Sequence, residues 1–462
     1  MNGEESRKKR VWVFEESPVA QAVFTMAVPT VITQLINIVY NFADAFYVGR
    51  TGNPAKVAAL SVSLPVFIII QALANLFGIG GASAISRALG RKDRERARNI
   101  FAFSIYGGLM AAVFYAVVIF FSRPVLIPMI GGRDDSYPFI YSYMFWTMVV
   151  GAIPTLGNAL CGHLVRSIGA AKEAGFGLSM GCVLNIILDP LFMFVLLPKG
   201  MEVTGAAIAT CLSNTIALCY FVNLLYRHRD HPVFAISPAE FTTKDGIPEE
   251  VFSIGIAAAL QVFLAMVSNI FANKLVAEYG SAAVAGMGIA KKVNMIAFNT
   301  TMGLTQGVLP LLAYNYGARK YQRMREVIRF TTLVALGYTC CCTILFRGFA
   351  PSFVRFFIDE PASVEFGTRF LRVLAFAAPL CAISYMANTI FQAAGRRKSS
   401  LALSIMRKGV VDIPAMYVFK MLMGLNGVVW ATPFAEVTSV SVASVLYMKF
   451  RRELKEEEQA EI

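Results

Sequence analysis

Apolar runs of about 20 residues, each long enough to cross a bilayer as an α-helix, recur from one end of the chain to the other. Twelve can be placed, with cores at 20–47, 57–80, 99–121, 138–160, 174–197, 204–226, 251–276, 283–313, 327–349, 366–391, 401–423 and 427–448. They lack the alternating segments of about ten residues that mark a membrane β-barrel. The first run carries a regular polar interruption. Over Thr30–Asp44 it reads TVITQLINIVYNFAD, and Thr30, Gln34, Asn37, Asn41 and Asp44 follow at steps of four, three, four and three. That spacing places them on one side of a helix. A carboxylate at membrane depth is tolerated where it faces protein or a water-filled cavity, so the stripe is expected to face inward. Pro29, one residue before it, removes a backbone hydrogen bond and marks a hinge. The simpler alternative is a polar stripe that only joins helices, with Asp44 in a loop.

Composition agrees with the pattern. The 462 residues are 56% hydrophobic and 15% charged, with mean hydropathy +0.59. A soluble globular chain carries about 25% charged residues, so that class is excluded. The net charge of +13 is concentrated between apolar runs, which argues against nucleic acid as a partner. One set of loops holds Arg7, Lys8, Lys9 and Arg10, then Arg87, Arg91, Lys92, Arg94, Arg96 and Arg98, then Arg227, Arg229 and Lys244. It continues with Arg319, Lys320, Arg323 and Arg325, with Arg396, Arg397 and Lys398, and with Lys449, Arg451 and Arg452. The alternate loops hold one or two basic residues each, such as Lys199, Lys274 and Lys420. By the positive-inside rule both termini are expected in the cytoplasm of a multi-pass cell-membrane protein. The basic start MNGEESRKKR is followed by no short apolar region with a cleavage site, so the first span is expected to be retained. The eight cysteines show no CxxC spacing and suit packing rather than disulfides or metal.

The two halves repeat. GASAISRALGRKDRERAR from Gly81 has its partner in GVLPLLAYNYGARKYQRMR from Gly307. Gly169-Ala-Ala-Lys172 matches Gly395-Arg-Arg-Lys398, and GAAIAT from Gly205 matches GVVWAT from Gly427. The offset stays at roughly 225 residues, which spans an even number of membrane crossings, so the repeat is parallel, about an axis along the membrane normal. The expected fold is an all-α polytopic membrane protein, with twelve transmembrane helices in two six-helix lobes. The expected division is residues 1–227, a cytoplasmic linker 228–247 rich in turn residues, and residues 248–462. Two bundles with a cavity between them suit alternating access.

The candidate chemistry lies in the first half. The fifth run contains NIILDP, placing Asn185 and Asp189 one helical turn apart. Thr210 adds a hydroxyl in the sixth. Counted at 1.5 Å per residue, Asp44, Asp189 and Thr210 all sit roughly 9–15 Å below the outer surface. Two carboxylates, an amide and a hydroxyl at one depth suit a proton or a hard cation such as Na+. The second half lacks the set: Phe271 or Ala272 stands opposite Asp44, although Gln261 can match Gln34. It offers Lys291, Lys292, Arg407, Lys408 and Asp412 instead. Lys408 and Asp412 suit an i,i+4 pair; Lys291 and Lys292 can snorkel, pair with Asp412 or face a substrate. An organic substrate calls for an apolar and aromatic wall with few polar groups. Tyr40, Met287, Met295, Phe298, Met302, Tyr385, Met386 and Phe391 are candidates, although such residues also serve as plain packing. His163, His228 and His231 form no cluster with cysteine, so a metal-dependent enzyme has little support.

At these residues the chain resembles the multidrug and toxic-compound extrusion (MATE) family, in its DinF/MepA-like bacterial branch. The resemblance rests on PTVITQLINIVYNFADAFYVG, GASAISRALGRKD, GVLPLLAYNYGARK and the GAAIAT/GVVWAT pair, and it covers all twelve spans. It implies a V-shaped pair of lobes and secondary antiport driven by H+ or Na+. It also implies a coupling site at Asp44, Asn185, Asp189 and Thr210, with Tyr40 and Pro29 beside it. The NorM-like branch uses acids in the seventh and tenth spans; they are missing here, so that site is expected to be absent. The expected function is export of amphipathic, cationic organic compounds. The substrate cavity is expected at Gln34, Asn37, Asn41, Gln261, Met287, Lys291, Met295, Phe298, Met302, Tyr385 and Met386. No cofactor is expected beyond the coupling ion, and the partners are small organic molecules and the bilayer, with the chain a monomer. The near alternative is a flippase for a lipid-linked saccharide or anionic lipid, which Lys291 and Lys292 keep open.

Overall fold

A computed structural model describes residues 11–132, 135–228, 231, 233–234 and 237–459. Arg7, Lys8, Lys9, Arg10, Arg229 and Pro232 lie outside the described residues. Helices stand at all twelve apolar runs. The first half holds α1 (Val19–Gly49), α2 (Pro54–Gly90), α3 (Arg94–Met129), α4 (Tyr137–Val150 and Ala152–Ser167), α5 (Ala171–Leu196) and α6 (Glu202–Arg227). The second holds α7 (Ile247–Ala277), α8 (Ser281–Gly317), α9 (Tyr321–Gly348) and α10 (Pro361–Leu374 and Ala377–Ala393). It ends with α11 (Arg397–Ile405, the π-helical turn Met406–Val410 and Asp412–Met423) and α12 (Leu425–Gln459). Eight of these are singly long and apolar enough to span a membrane, and the bent helices α4 and α10 bring the number to ten. Of the other two, α8 carries Lys291 and Lys292 within its span, and α11 is broken by its π-helical turn into short segments that carry Arg407, Lys408 and Asp412.

Local chemistry starts and stops the helices. Asn53 accepts from the Ala55 N–H at 2.9 Å ahead of Pro54, and Asp93 accepts from the Arg96 N–H at 3.0 Å, which satisfies donors a helix start leaves free. The repeat extends to backbone conformation. Lys92 and Arg319, two residues past the matched Gly90 and Gly317, both take left-handed φ, 63° and 58°. Gly169 and Gly395, another matched pair, do so at 87° and 70°. A left-handed lysine or arginine is uncommon, so its recurrence at equivalent turns argues for one folding unit used twice.

Helices α1–α6 and α7–α12 form two bundles joined mainly by α2 against α7 and α1 against α8. Toward the end that holds the termini this seam is tight. A Cβ on Gly255 would stand 2.0 Å from the Leu76 carbonyl oxygen, and one on Gly80 would stand 2.3 Å from that of Val251. Only glycine permits that approach. Two clasps close the same end, built from matched places in the repeat. In one, Glu250 at the start of α7 takes Arg87 at 3.3 Å, Arg91 at 3.2 Å and Arg96 at 2.9 Å. In the other, Glu15 ahead of α1 takes Tyr314 Oη at 2.5 Å and Lys320 Nζ at 3.1 Å, while Arg323 donates to the Phe14 carbonyl at 2.9 Å. Each half's entry segment is thus held by the other half. At the far end the halves meet more loosely, through the Phe42 and Phe357 rings at 5.8 Å and Lys292 over Phe42 at 5.8 Å.

Candidate functional site

Above the closed seam lies a cavity of about 430 Å³ between α1, α2, α4, α5 and α6 of the first half and α7 and α8 of the second. The polar stripe of α1 faces it: Thr30, Gln34, Asn37 and Tyr40 line the wall, with Thr33 beside them. Asn185, Thr210, Gln261 and Met302 also line it. Asn41 stands exposed one turn on, donating to the Asn37 carbonyl at 2.7 Å.

The two acids sit one helical turn beyond this wall, Asp44 past Tyr40 on α1 and Asp189 past Asn185 on α5. Asp189 is fully buried. Asn185 satisfies all its neighbours in one amide orientation. Its NH2 donates to Asp189 Oδ2 at 3.0 Å, and its oxygen accepts from the Thr210 N–H at 3.1 Å and hydroxyl at 3.2 Å. The opposite orientation would set the amide oxygen against the carboxylate and the NH2 against a backbone donor. Asp44 and Asp189 are close enough to repel each other, and Tyr40 and Tyr143 stand within electrostatic reach of both. The structure therefore brings Asp44, Tyr40, Asn185, Asp189 and Thr210 into one cluster drawn from three helices. The groups it offers are two carboxylates, an amide and hydroxyls; among the described residues no three His, Cys, Asp or Glu side chains gather to hold a metal.

Helix α1 runs unbroken through Pro29. Gly175 of α5 packs against that proline, where a Cβ would lie 2.9 Å from Pro29 Cβ. Thr33, one turn on, places its hydroxyl 2.9 Å from the Pro29 carbonyl, 3.2 Å from that of Gly175 and 3.1 Å from Ser179 Oγ. A hydroxyl donates one proton, so it must choose among these acceptors. The junction has alternative hydrogen bonds built in.

The expected aromatic and methionine wall is mostly elsewhere. Met287 is buried in an apolar core of the second half and Met386 in one shared by the two halves, and Phe298 packs against the same core as Met287. Tyr385 lies under the Arg407 guanidinium at 4.3 Å, and Phe391 is fully buried. The lining does not include Met295 or Lys291 either; Lys291 donates to Asn269 and Asn273, each at 3.1 Å. The reason is geometric. Helical spacing of large apolar residues marks any packed face, and in the second half that face is a core.

Amides make the wall instead. Gln71, Asn75, Asn158, Asn214, Asn299 and Gln306 line it and escaped the sequence reading. Their signal was present: Gln71 and Asn75 lie four apart, and Asn299 and Gln306 seven apart, each on one face of an apolar helix. Arg166 and His163 supply its ionisable groups. Beside the Arg166 guanidinium, the amides donate and accept without adding charge, which lets polar groups of varied shape be satisfied in turn.

In the second half Lys408 Nζ holds Asp412 Oδ2 at 3.0 Å, and Ser268 donates to the same oxygen at 2.6 Å. Arg407 pairs with buried Glu436 at 2.7 Å.

Comparison with known proteins places this architecture. The family model described as MatE matches residues 29–191 and again 254–418, once in each half. The multidrug export protein MepA of Staphylococcus saprophyticus is 30% identical over 456 residues, covering 99% of each chain. That of Staphylococcus aureus strain NCTC 8325 is 29% identical, covering 97% of this chain and 98% of its own. The solved structure of an outward-facing multidrug resistance MATE family transporter of the MOP superfamily matches with a TM-score of 0.89. It is 25% identical and covers 97% of this chain and 99% of that one. With its two matched halves and twelve helices, this chain belongs to the MATE family.

Proposed function

We propose that this protein is a secondary antiporter that exports amphipathic, cationic organic compounds from the cell in exchange for H+ or Na+. The observation that carries the reading is the pair of uncompensated acids, Asp44 and Asp189, one turn beyond a polar cavity and next to the helix α1 that forms the seam between halves. Two carboxylates in a poorly hydrated site favour taking up a proton or a cation. Uptake relieves their repulsion and alters what Asn185 and Tyr40 bond to. Because α1 carries Asp44 and Tyr40 at one end and packs on α8 at the other, this change is delivered to the seam. The Thr33 hydroxyl at the Pro29 junction then has a new acceptor to choose.

The positive-inside rule, applied to the basic residues of the clasp end, supports a cytoplasmic position for that end and for both termini. The tight seam then makes this conformation the one closed to the cytoplasm, and the amide wall is what a substrate leaves. The site is complete within one chain, which acts as a monomer, and no nucleic acid takes part. The names of the staphylococcal relatives support drug export over the flippase alternative.

The test is export of a fluorescent cationic dye from proteoliposomes with a pH gradient or a Na+ gradient imposed alone. One gradient drives export in the native protein. Asp44→Asn and Asp189→Asn each reduce it more than roughly tenfold, with the fold retained by circular dichroism. Native export rates in both variants overturn the coupling site.

A further inference from the structure

We infer that the second half carries, on its membrane-facing flank at the end away from the termini, a binding site for the headgroup of an anionic phospholipid. The residues come from four helical segments. Helix α9 carries Arg347 in its last turn, the short helix Ala350–Arg355 ends in Arg355, and the first segment of α10 carries Arg369 and Arg372, three apart on one face. With Phe376 and Trp430 they line a recess of about 840 Å³. This recess and the central cavity share no lining residue.

The charge is not self-neutralised. Asp359 and Glu365 also line the recess, yet among the described residues none of the four arginines makes an ion pair with either. All four arginines are exposed. Arg347 is already oriented. Its Nη1 donates to the Arg372 carbonyl at 3.2 Å, and its guanidinium lies 3.9 Å over the Phe376 ring, which stacks on Trp430 at 6.1 Å. Guanidinium forks held in place match a phosphodiester bidentately.

Depth identifies the occupant as a lipid. One turn below Arg347, Ile344 is 72% exposed; one turn below Trp430, Phe434 is 45% exposed, with Val437 below it at 49%. Those side chains face acyl chains. Tryptophan marks the boundary between headgroup and hydrocarbon. The recess therefore straddles that boundary, with cationic groups above and apolar walls below, as a phosphate joined to acyl chains requires. It also breaks the charge asymmetry of the rest of the chain, since four arginines gather where the other loops hold one or two basic residues. The assignment to the outer leaflet rests on the orientation proposed above; the site itself does not.

The test uses the full-length protein with Trp12 and Trp146 replaced by phenylalanine, leaving Trp430 as the only tryptophan. It is placed in nanodiscs of phosphatidylcholine with a small fraction of brominated phosphatidylglycerol or brominated phosphatidylcholine. Bromine at the acyl chain quenches a tryptophan it touches. The expected result is quenching at roughly fivefold lower mole fraction of phosphatidylglycerol than of phosphatidylcholine. That preference disappears in Arg355→Gln/Arg369→Gln, exposed positions that leave dye export intact. Equal quenching by the two lipids overturns the site. Reversal of the preference by millimolar inorganic phosphate overturns the lipid assignment in favour of a soluble anion. In vesicles with phosphatidylglycerol confined to one leaflet, quenching comes from the leaflet opposite the clasp end; quenching only from the leaflet at the clasp end overturns the site.

Discussion

The two halves hold a carboxylate at equivalent places and treat it in opposite ways. Asp189 in α5 and Asp412 in α11 stand in register with Gly205 and Gly427 to within one residue, and each has its partner four residues earlier. In the first half that partner is Asn185, donating to Asp189 Oδ2 at 3.0 Å. In the second it is Lys408, at 3.0 Å from Asp412 Oδ2. Both carboxylates are fully buried. An amide leaves the negative charge in place, and an ammonium cancels it. The same scaffold therefore gives one site whose negative charge is left standing and one that carries its own cation. Glu436 repeats the lesson, since Arg407 reaches it at 2.7 Å. Asp44, in contrast, has a second acid as its charged neighbour.

The strongest way to break this contrast is to turn the first site into the second. Asn185→Lys places a permanent ammonium beside Asp189 in the geometry Lys408 already uses. Gradient-driven export should fall by about a hundredfold while the protein still folds, because a resident cation outcompetes a transported one. Export in proteoliposomes measures it. Retained coupling in this variant means that the charge of Asp189 is not what the gradient acts on.

The reverse exchange tests stability rather than transport. Lys408→Asn leaves Asp412 buried with only Ser268 and an amide, and breaking a buried pair on one side costs about 3–5 kcal/mol. Thermal unfolding in detergent should show a lowered midpoint, and Lys408→Asn/Asp412→Asn should recover most of it. A single variant as stable as the native protein sharpens the comparison differently: it would mean that the second half too can leave its acid uncompensated.

How much of this was legible beforehand follows from the same physics. The twelve spans, the repeat and the polar stripe of α1 are one-dimensional patterns, and the helices stand where those patterns put them. The cluster of Asp44, Asn185, Asp189 and Thr210 came from counting depth along three helices, which fixes height but not rotation; the hydrogen bonds of Asn185 supply the rotation. The cavity wall was misread because methionine and aromatic spacing looks alike on a lining and in a core. Met287 and Met386 fill cores, whereas Gln71, Asn75 and Asn299 line the space. Amides in apolar helices were the better guide, since each must find a partner or water. The clasps were hidden for another reason. Glu15 and Glu250 look like ordinary solvated charges until the other half of the chain is folded against them.

The seam distinguishes the ends of the molecule as the carboxylates distinguish its halves. Gly255→Ala would put a Cβ about 2 Å from the Leu76 carbonyl oxygen, so α2 and α7 must separate by about an ångström, as close-packed interiors do not absorb such overlap. Export should drop several-fold. A reporter cysteine on α7 near the clasp, in a background without the native cysteines, should label faster from the clasp side. Unchanged labelling would mean that the seam does not hold the closed state.

The smallest expected effect separates the two clasps. Glu250 faces three arginines, Glu15 a tyrosine and a lysine. Removing the charge by Glu250→Gln should therefore weaken closure more than Glu15→Gln. For Glu15 the expected cost is about 1 kcal/mol, the net worth of one hydrogen-bonded partner. Its carboxyl is held below the ordinary 4.5, first by the Tyr314 hydroxyl, with burial opposing and Lys320 adding to it. A depressed folded value means the ionised form is favoured by folding, so the stabilisation is present above the unfolded value and is lost as pH falls through the folded one. The gap between native and Glu15→Gln unfolding midpoints should accordingly be full at pH 7 and close as the pH falls below 4.5 and through the depressed folded value. A gap that persists at pH 3 would assign the contribution to packing of the Val13–Ser17 segment on Tyr314, leaving the Glu250 clasp as the one whose charge holds the halves together.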